Sequence, residues 1–182
     1  MTTFSILLYT LITTFAPSLN ACTGVMLNSN TDIKVTEKNL TGPITMIGKN
    51  FTGSYENTSQ YLDAVKKDLK DQKIKYHELE AVSVYLSDLS TEKPSNLNSF
   101  HGFVIKQDAS PKKDYYLRKL EAGKYIVTAT KKPELLWNMF QEAYQYAGKK
   151  NITIADVAPV LITTVENKAP LFSIYFLTIA KK

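Results

Sequence analysis

From Ile44 onward, apolar and polar residues switch between the two-residue period of a strand and the longer period of a helix. Ile44 to Phe51 alternates and predicts a strand, and Gly53-Ser54 predicts the turn after it. Tyr55 to about Lys75 predicts a helix. The apolar stripe of this helix consists of Tyr61, Leu62, Val65 and Leu69. The runs Ala81 to Leu86 and Phe100 to Lys106 predict two more strands.

The second half of the chain shows the same order of patterns. Tyr115 to Thr130 predicts a strand that bends at Gly123. Pro133 opens a predicted helix, and Gly148 is expected to end it. The apolar stripe of this second helix consists of Leu136, Met139, Phe140, Ala143 and Ala147. Two strands follow, Val157 to Val165 and Leu171 to Ile179.

A constant offset of 78 residues relates the two halves, so that Ala147 falls on Leu69 and Ile162 falls on Val84. We therefore predict two tandem β-α-β-β repeats of about 60 residues each, at about 42–107 and 113–182. A single repeat leaves one helix over a short sheet. Two repeats related by a pseudo-twofold axis predict an α+β domain with an antiparallel sheet, two covering helices and a cleft at the seam.

The N-terminal segment predicts targeting to a membrane. The apolar run Phe4 to Phe15 is too short to span ~30 Å of hydrocarbon and matches the core of a signal peptide. Leu19, Ala21 and Cys22 then resemble the bacterial lipobox, in which the cysteine thiol is lipidated. We expect a signal peptide at 1–21, a polar tether at 22–41 and a domain at 42–182.

These features predict a membrane-anchored lipoprotein of the bacterial cell envelope. A plain secretory signal, giving a secreted or periplasmic protein, and a retained anchor or core helix are the alternatives.

Composition removes several function classes. One cysteine and two histidines among 182 residues exclude an internal disulfide, a CxxC redox pair and a metal cluster of thiolates or histidines. We predict no cofactor and no metal. The net charge of +5 is spread along the chain, so it does not single out nucleic acid as a partner.

Several short motifs, taken in order, resemble the GyrI-like small-molecule-binding domain, also called the bacterial transcription-activator effector-binding domain. The resemblance covers about Gly42 to Ala180. In the first repeat it rests on Phe51 to Tyr55, Val82 to Leu86, Asp88, Pro94, Leu97 and Gly102 to Val104. In the second repeat it rests on Ala122 to Val127, Pro133 to Trp137 and Ile174 to Ile179.

The resemblance implies a fold that binds organic cations or other amphipathic compounds in an aromatic groove. Some members carry a buried acidic residue at the start of the last strand, where this chain has Ser173 or Ile174. Without that carboxylate, an aromatic groove holds a cation more weakly. The leader and tether occupy the place of a DNA-binding domain, so we expect no nucleic-acid partner.

Aromatic residues are the candidates for ligand contact, because their flat faces suit an amphipathic molecule. The candidate ligand-binding residues are Tyr55, Tyr85, Phe103, Trp137 and Tyr175, each with core packing as the alternative. No catalytic residue is assigned. We expect an envelope-anchored, non-catalytic domain that buries an amphipathic or aromatic small molecule between the repeats. The alternatives are an interaction module with a vestigial cleft, which would bind an envelope protein, and a small hydrolase of reactive compounds.

Overall fold

The computed structural model describes residues 32–88, 91–106, 109–112 and 114–179. The predicted signal peptide and Cys22 lie outside these residues. The two α-helices of the described chain are α1 (Thr58–Asp71) and α2 (Leu136–Lys150). Its strands are β1 (Lys34–Leu40), β2 (Ile44–Thr52), β3 (Ala81–Tyr85), β4 (Asn98–Val104), β5 (Tyr116–Leu120), β6 (Gly123–Thr130), β7 (Thr153–Ile154), β8 (Val160–Glu166) and β9 (Ala169–Ile179).

The strands form a curled antiparallel sheet in the order β1-β6-β9-β8-β3-β4-β2-β5, and β7 pairs with the end of β9. The two repeats, β2-α1-β3-β4 and β6-α2-β8-β9, occupy the two halves of this sheet. They meet where β3 pairs with β8. The predicted α+β fold with two β-α-β-β repeats is therefore confirmed.

Both helices cover the same face of the sheet. Their inward residues, including Val65 and Leu69 of α1 and Met139 and Ala143 of α2, are fully buried with strand residues in one apolar core. Burial of each large aliphatic side chain contributes ~1.5–3 kcal/mol. A second buried cluster, built from strand residues such as Val84, lies on the opposite face. The sheet therefore has a helix-covered face and an open face.

The helix ends differ from the sequence prediction. A single 3-10 turn, Tyr55–Asn57, precedes α1, and the helix begins at Thr58. Gly148 does not end α2, because the helix continues to Lys150 and Asn151 caps it with a left-handed backbone (φ 57°). Asparagine tolerates this conformation, which lets its N–H bond to the last carbonyls of the helix.

Two strand predictions also change. The predicted strand Tyr115 to Thr130 is divided into β5 and β6 by a turn at Glu121 and Ala122, and the two strands lie in different halves of the sheet. The segment predicted as a polar tether contains β1, whose charged residues suit an edge strand. In the described residues, no helix combines the length and apolarity needed to cross a membrane.

Candidate functional site

A cleft of about 440 Å³ opens at the seam of the two repeats, on the face opposite the helices. Its volume falls in the range typical of small-molecule sites. Val84 of β3 and Val160 of β8 lie at the seam, and Met46, Leu120 and Leu177 extend the apolar surface to both sides. These residues face the cleft because side chains alternate along each strand and the intervening ones pack under the helices.

Two tyrosines stand together in the cleft. Tyr125 of β6 and Tyr175 of β9 have ring centroids 6.1 Å apart at 74°, an edge-to-face arrangement. The Tyr125 hydroxyl donates a 2.8 Å hydrogen bond to the backbone carbonyl of Glu121. Burial, and then the negative charge of Glu121, raise the pKa of Tyr125. Tyr125 therefore remains neutral at physiological pH, and the two rings present an aromatic surface to the cleft.

Charged groups lie at the rim. Arg118, Lys119 and Glu121 contribute to the wall formed by β5 and the turn after it. The guanidinium of Arg118 lies 4.8 Å above the ring of Phe100. On the other side, the Lys38 ammonium is 3.4 Å from the Tyr175 hydroxyl and 5.5 Å from the centre of its ring.

The five candidate aromatic residues do not converge. Tyr175 lies in the cleft, whereas Tyr85 faces the other side of β3 and packs against Tyr55 with centroids 4.6 Å apart. The Tyr55 hydroxyl is occupied by hydrogen bonds to the backbone of Ser87 and Asn98. Tyr85 and Tyr55 lie away from the cleft because side chains alternate along a strand, so that Val84 of β3 faces the cleft and Tyr85 does not.

Phe103 and Trp137 also lie away from the cleft. Phe103 is buried in the helix-side core, where its ring packs against Tyr76 at 4.9 Å. Trp137 lies on the outer side of α2 and is 51% exposed. Tyr125, Lys38 and Arg118, which do stand at the cleft, were not singled out by the sequence patterns. The sequence did carry one signal for Tyr125: it alternates with Ile126, so the two side chains are expected on opposite faces of the strand.

A polar network is buried between α1 and the sheet. His101 is fully buried, and its two ring nitrogens each lie 2.9 Å from a serine hydroxyl, Nδ1 from Ser83 and Nε2 from Ser99. Burial lowers the pKa of His101 to about 3, so the ring is neutral at physiological pH. This network satisfies its own hydrogen bonds inside the core and lies on the far side of the sheet from the cleft.

His77 lies at a separate surface depression. Its Nδ1 is 3.7 Å from a carboxylate oxygen of Glu80, and Lys106 stands at the same depression of about 600 Å³. In the described part of the chain, no group of three or more His, Cys, Asp or Glu side chains is arranged to hold a metal ion.

No protein-family model matches the sequence, and no curated protein matches it. Solved structures do match. The EcmrR C-terminal domain has a TM-score of 0.63 at 11% identity, over 82% of this chain and 99% of that domain. In the cryo-EM structure of an EcmrR–DNA complex the TM-score and identity are the same, and the match spans 59% of the EcmrR chain.

A hydrolase from Listeria innocua has a TM-score of 0.56 at 10% identity, over 80% of this chain and 92% of that chain. At sequence identities this low, the structural matches show similarity of fold alone. The chain therefore has the α+β fold of the EcmrR C-terminal domain, consistent with the GyrI-like fold that the sequence motifs indicate.

Proposed function

We propose that this protein is a non-catalytic binding module that takes a small amphipathic or aromatic molecule into the cleft at the seam. The observation that carries the proposal is the apolar floor from both repeats together with the Tyr125–Tyr175 pair. Removing a ligand's apolar surface from water contributes about 25 cal/mol per Å² before the costs of association are subtracted.

The chemistry of the lining supports binding rather than turnover. General acid–base or nucleophilic catalysis needs a pair of groups within hydrogen-bond reach. Among the described residues that line the cleft, Glu121 is the only carboxylate, and its neighbours there are aliphatic, aromatic or cationic. Catalysis is the alternative, because one of the structures with this fold is a hydrolase from Listeria innocua. An assay with ester and epoxide substrates tests this alternative.

The binding test uses N-phenyl-1-naphthylamine, a neutral fluorophore that brightens in apolar sites. We expect saturable binding to the full-length protein. Ala158 is exposed at the cleft, so we expect Ala158→Trp to fill the cleft without disturbing the core and to abolish binding. Gln141→Trp adds the same side chain to the exposed side of α2 and serves as the matched control. Equal binding by both variants would place the fluorophore elsewhere.

We also propose, from the sequence, that Cys22 is lipidated and anchors the module to a bacterial envelope. Several acyl chains together hold a protein stably on a bilayer, whereas one chain holds it weakly. Cys22→Ser is expected to release the protein from the membrane fraction and to abolish incorporation of labelled fatty acid. Membrane association that persists without label in the parent protein would contradict lipidation.

A further inference from the structure

We propose that the cleft selects an amphipathic anion, whose apolar body lies on the aliphatic floor and whose carboxylate, sulfonate or phosphate group lies between Lys38 and Arg118. This inference rests on the binding function proposed above and adds the sign of the ligand's charge. An anion differs from the organic cations that the family resemblance implies alongside other amphipathic compounds.

Lys38 is directed to the cleft by strand register. It pairs directly with Tyr125 across β1 and β6, so the two side chains lie on the same face of the sheet. The ammonium group of Lys38 then stands beside the Tyr175 hydroxyl, at 3.4 Å. A lysine held there offers its remaining donors to an anion that enters over the two tyrosines.

Arg118 reaches the cleft from the other edge of the sheet in the same way. It pairs with Met46 across β5 and β2, and its guanidinium lies over Phe100 on the open face. One of its N–H groups donates a 3.2 Å bond to the side-chain oxygen of Asn50. A guanidinium has five N–H donors in a planar fork, so this bond leaves donors that suit a planar or tetrahedral oxyanion.

The charges around the cleft also favour an anionic ligand. Arg118 lines the cleft and Lys38 stands beside the cleft residue Tyr175, whereas Glu121 is the one carboxylate among the described residues that line the cleft. The position at which a cation-binding carboxylate could enter from β9 does not supply one. Ile174 is buried in the helix-side core, and Ser173 is not acidic. A cationic ligand would therefore meet net repulsion at the rim.

The test compares two fluorophores with the same aromatic body. 8-Anilinonaphthalene-1-sulfonate is the anionic counterpart of neutral N-phenyl-1-naphthylamine. We expect the full-length protein to bind the sulfonate about tenfold more tightly, which corresponds to about 1.4 kcal/mol. The advantage should shrink in 0.5 M NaCl, because Lys38 is exposed and Arg118 only half-buried, so salt screens both charges. Binding of the neutral probe should not change with salt.

Four variants test which side chains set the preference for an anion. Arg118→Gln and Lys38→Gln should each reduce severalfold the preference for the sulfonate over the neutral probe. Arg118→Lys keeps the charge and should retain most of the preference. Glu121→Gln, the matched control of opposite sign, should strengthen binding of the sulfonate. Circular dichroism checks that each variant is folded.

The outcomes separate the two proposals. Equal affinity for both probes in all variants would overturn the anion proposal and leave the binding function standing. Tetraphenylphosphonium and tetraphenylborate have similar shapes and opposite charges, so they test the preferred sign of the ligand's charge directly. If tetraphenylphosphonium displaced the neutral probe more effectively than tetraphenylborate, the anion proposal would also be overturned. Failure of all four compounds to bind would remove the binding function itself.

Discussion

Ser83 of β3 pairs directly with Leu161 of β8 across the middle of the sheet. Leu161 follows Ser83 by 78 residues, which is the offset of the sequence repeat. Equivalent residues can pair with each other only where a twofold axis passes between them. The pseudo-twofold axis therefore runs through the Ser83–Leu161 pair, and the cleft opens beside this axis on the face opposite the helices.

The same Ser83 bonds to His101, and this buried ring predicts a pH dependence of stability. The pKa of His101 is about 3 in the folded protein and about 6.5 in the unfolded chain. The unfolded state therefore binds a proton that the folded state excludes, and stability is lost as pH falls below 6.5. We expect the free energy of unfolding to fall by about 2 kcal/mol between pH 6.5 and 4.5.

Urea unfolding at several pH values measures this loss. His101→Gln keeps a hydrogen-bond donor and an acceptor but does not titrate, so the stability of this variant should depend less on pH in this window. A parent protein whose stability is constant from pH 6.5 to 4.5 would show that His101 is not held neutral by burial.

A close approach of two strands makes Gly102 irreplaceable. Gly102 pairs with Gly48 across β4 and β2, and a methyl group added to Gly102 would overlap the carbonyl oxygen of Ile47 and lie 2.8 Å from the Cα of Gly48. Backbone atoms cannot turn aside as a side chain can. We expect Gly102→Ala to cost about 3 kcal/mol or more in denaturant unfolding.

Gly148 is the contrasting glycine. It lies inside α2, and apart from its chain neighbours and the surrounding helix backbone no atom lies within 4 Å of an added Cβ. Because alanine loses less backbone entropy in a helix, Gly148→Ala should raise the free energy of unfolding by about 0.5–1 kcal/mol. If Gly102→Ala were as stable as the parent, β2 and β4 would have to lie farther apart than the structure places them.

Local patterns predicted most of the fold but little of the site. The repeat was visible because each helix buries a regular stripe, such as Leu62, Val65 and Leu69, which leaves a periodic signal. The cleft depends on which neighbours a strand acquires. Lys38 and Arg118 come to it through the pairing of β1 with β6 and of β5 with β2, each of which joins one repeat to a strand outside it. Local periodicity carries no record of such pairing.

A buried hydroxyl without a partner predicts a stabilising substitution. Among the described residues, Thr128 of β6 is fully buried and its Oγ1 has no hydrogen-bond partner. Valine has the same shape without the polar atom, so Thr128→Val should leave stability unchanged or raise it by up to about 1 kcal/mol. Thermal and urea unfolding measure the change.

Thr58 provides the matched control for this substitution. Its buried hydroxyl donates a 2.6 Å hydrogen bond to the carbonyl of Tyr55 at the start of α1. Thr58→Val should therefore cost about 1 kcal/mol. Equal losses in Thr128→Val and Thr58→Val would indicate that the Thr128 hydroxyl does have a partner in solution.

The position of Trp137 predicts that it does not report on the cleft. The chain has one tryptophan, so 5-fluorotryptophan labels Trp137 alone. Trp137 lies on α2, across the sheet from the cleft, and saturation with N-phenyl-1-naphthylamine should leave its ¹⁹F resonance in place. Val157 is exposed at the cleft, so in the double variant Trp137→Phe/Val157→Trp the labelled indole should shift on binding. A resonance that moves at Trp137 and stays fixed in the double variant would place the ligand on the helix face, where the exposed aromatic side of α2 would then be the binding surface.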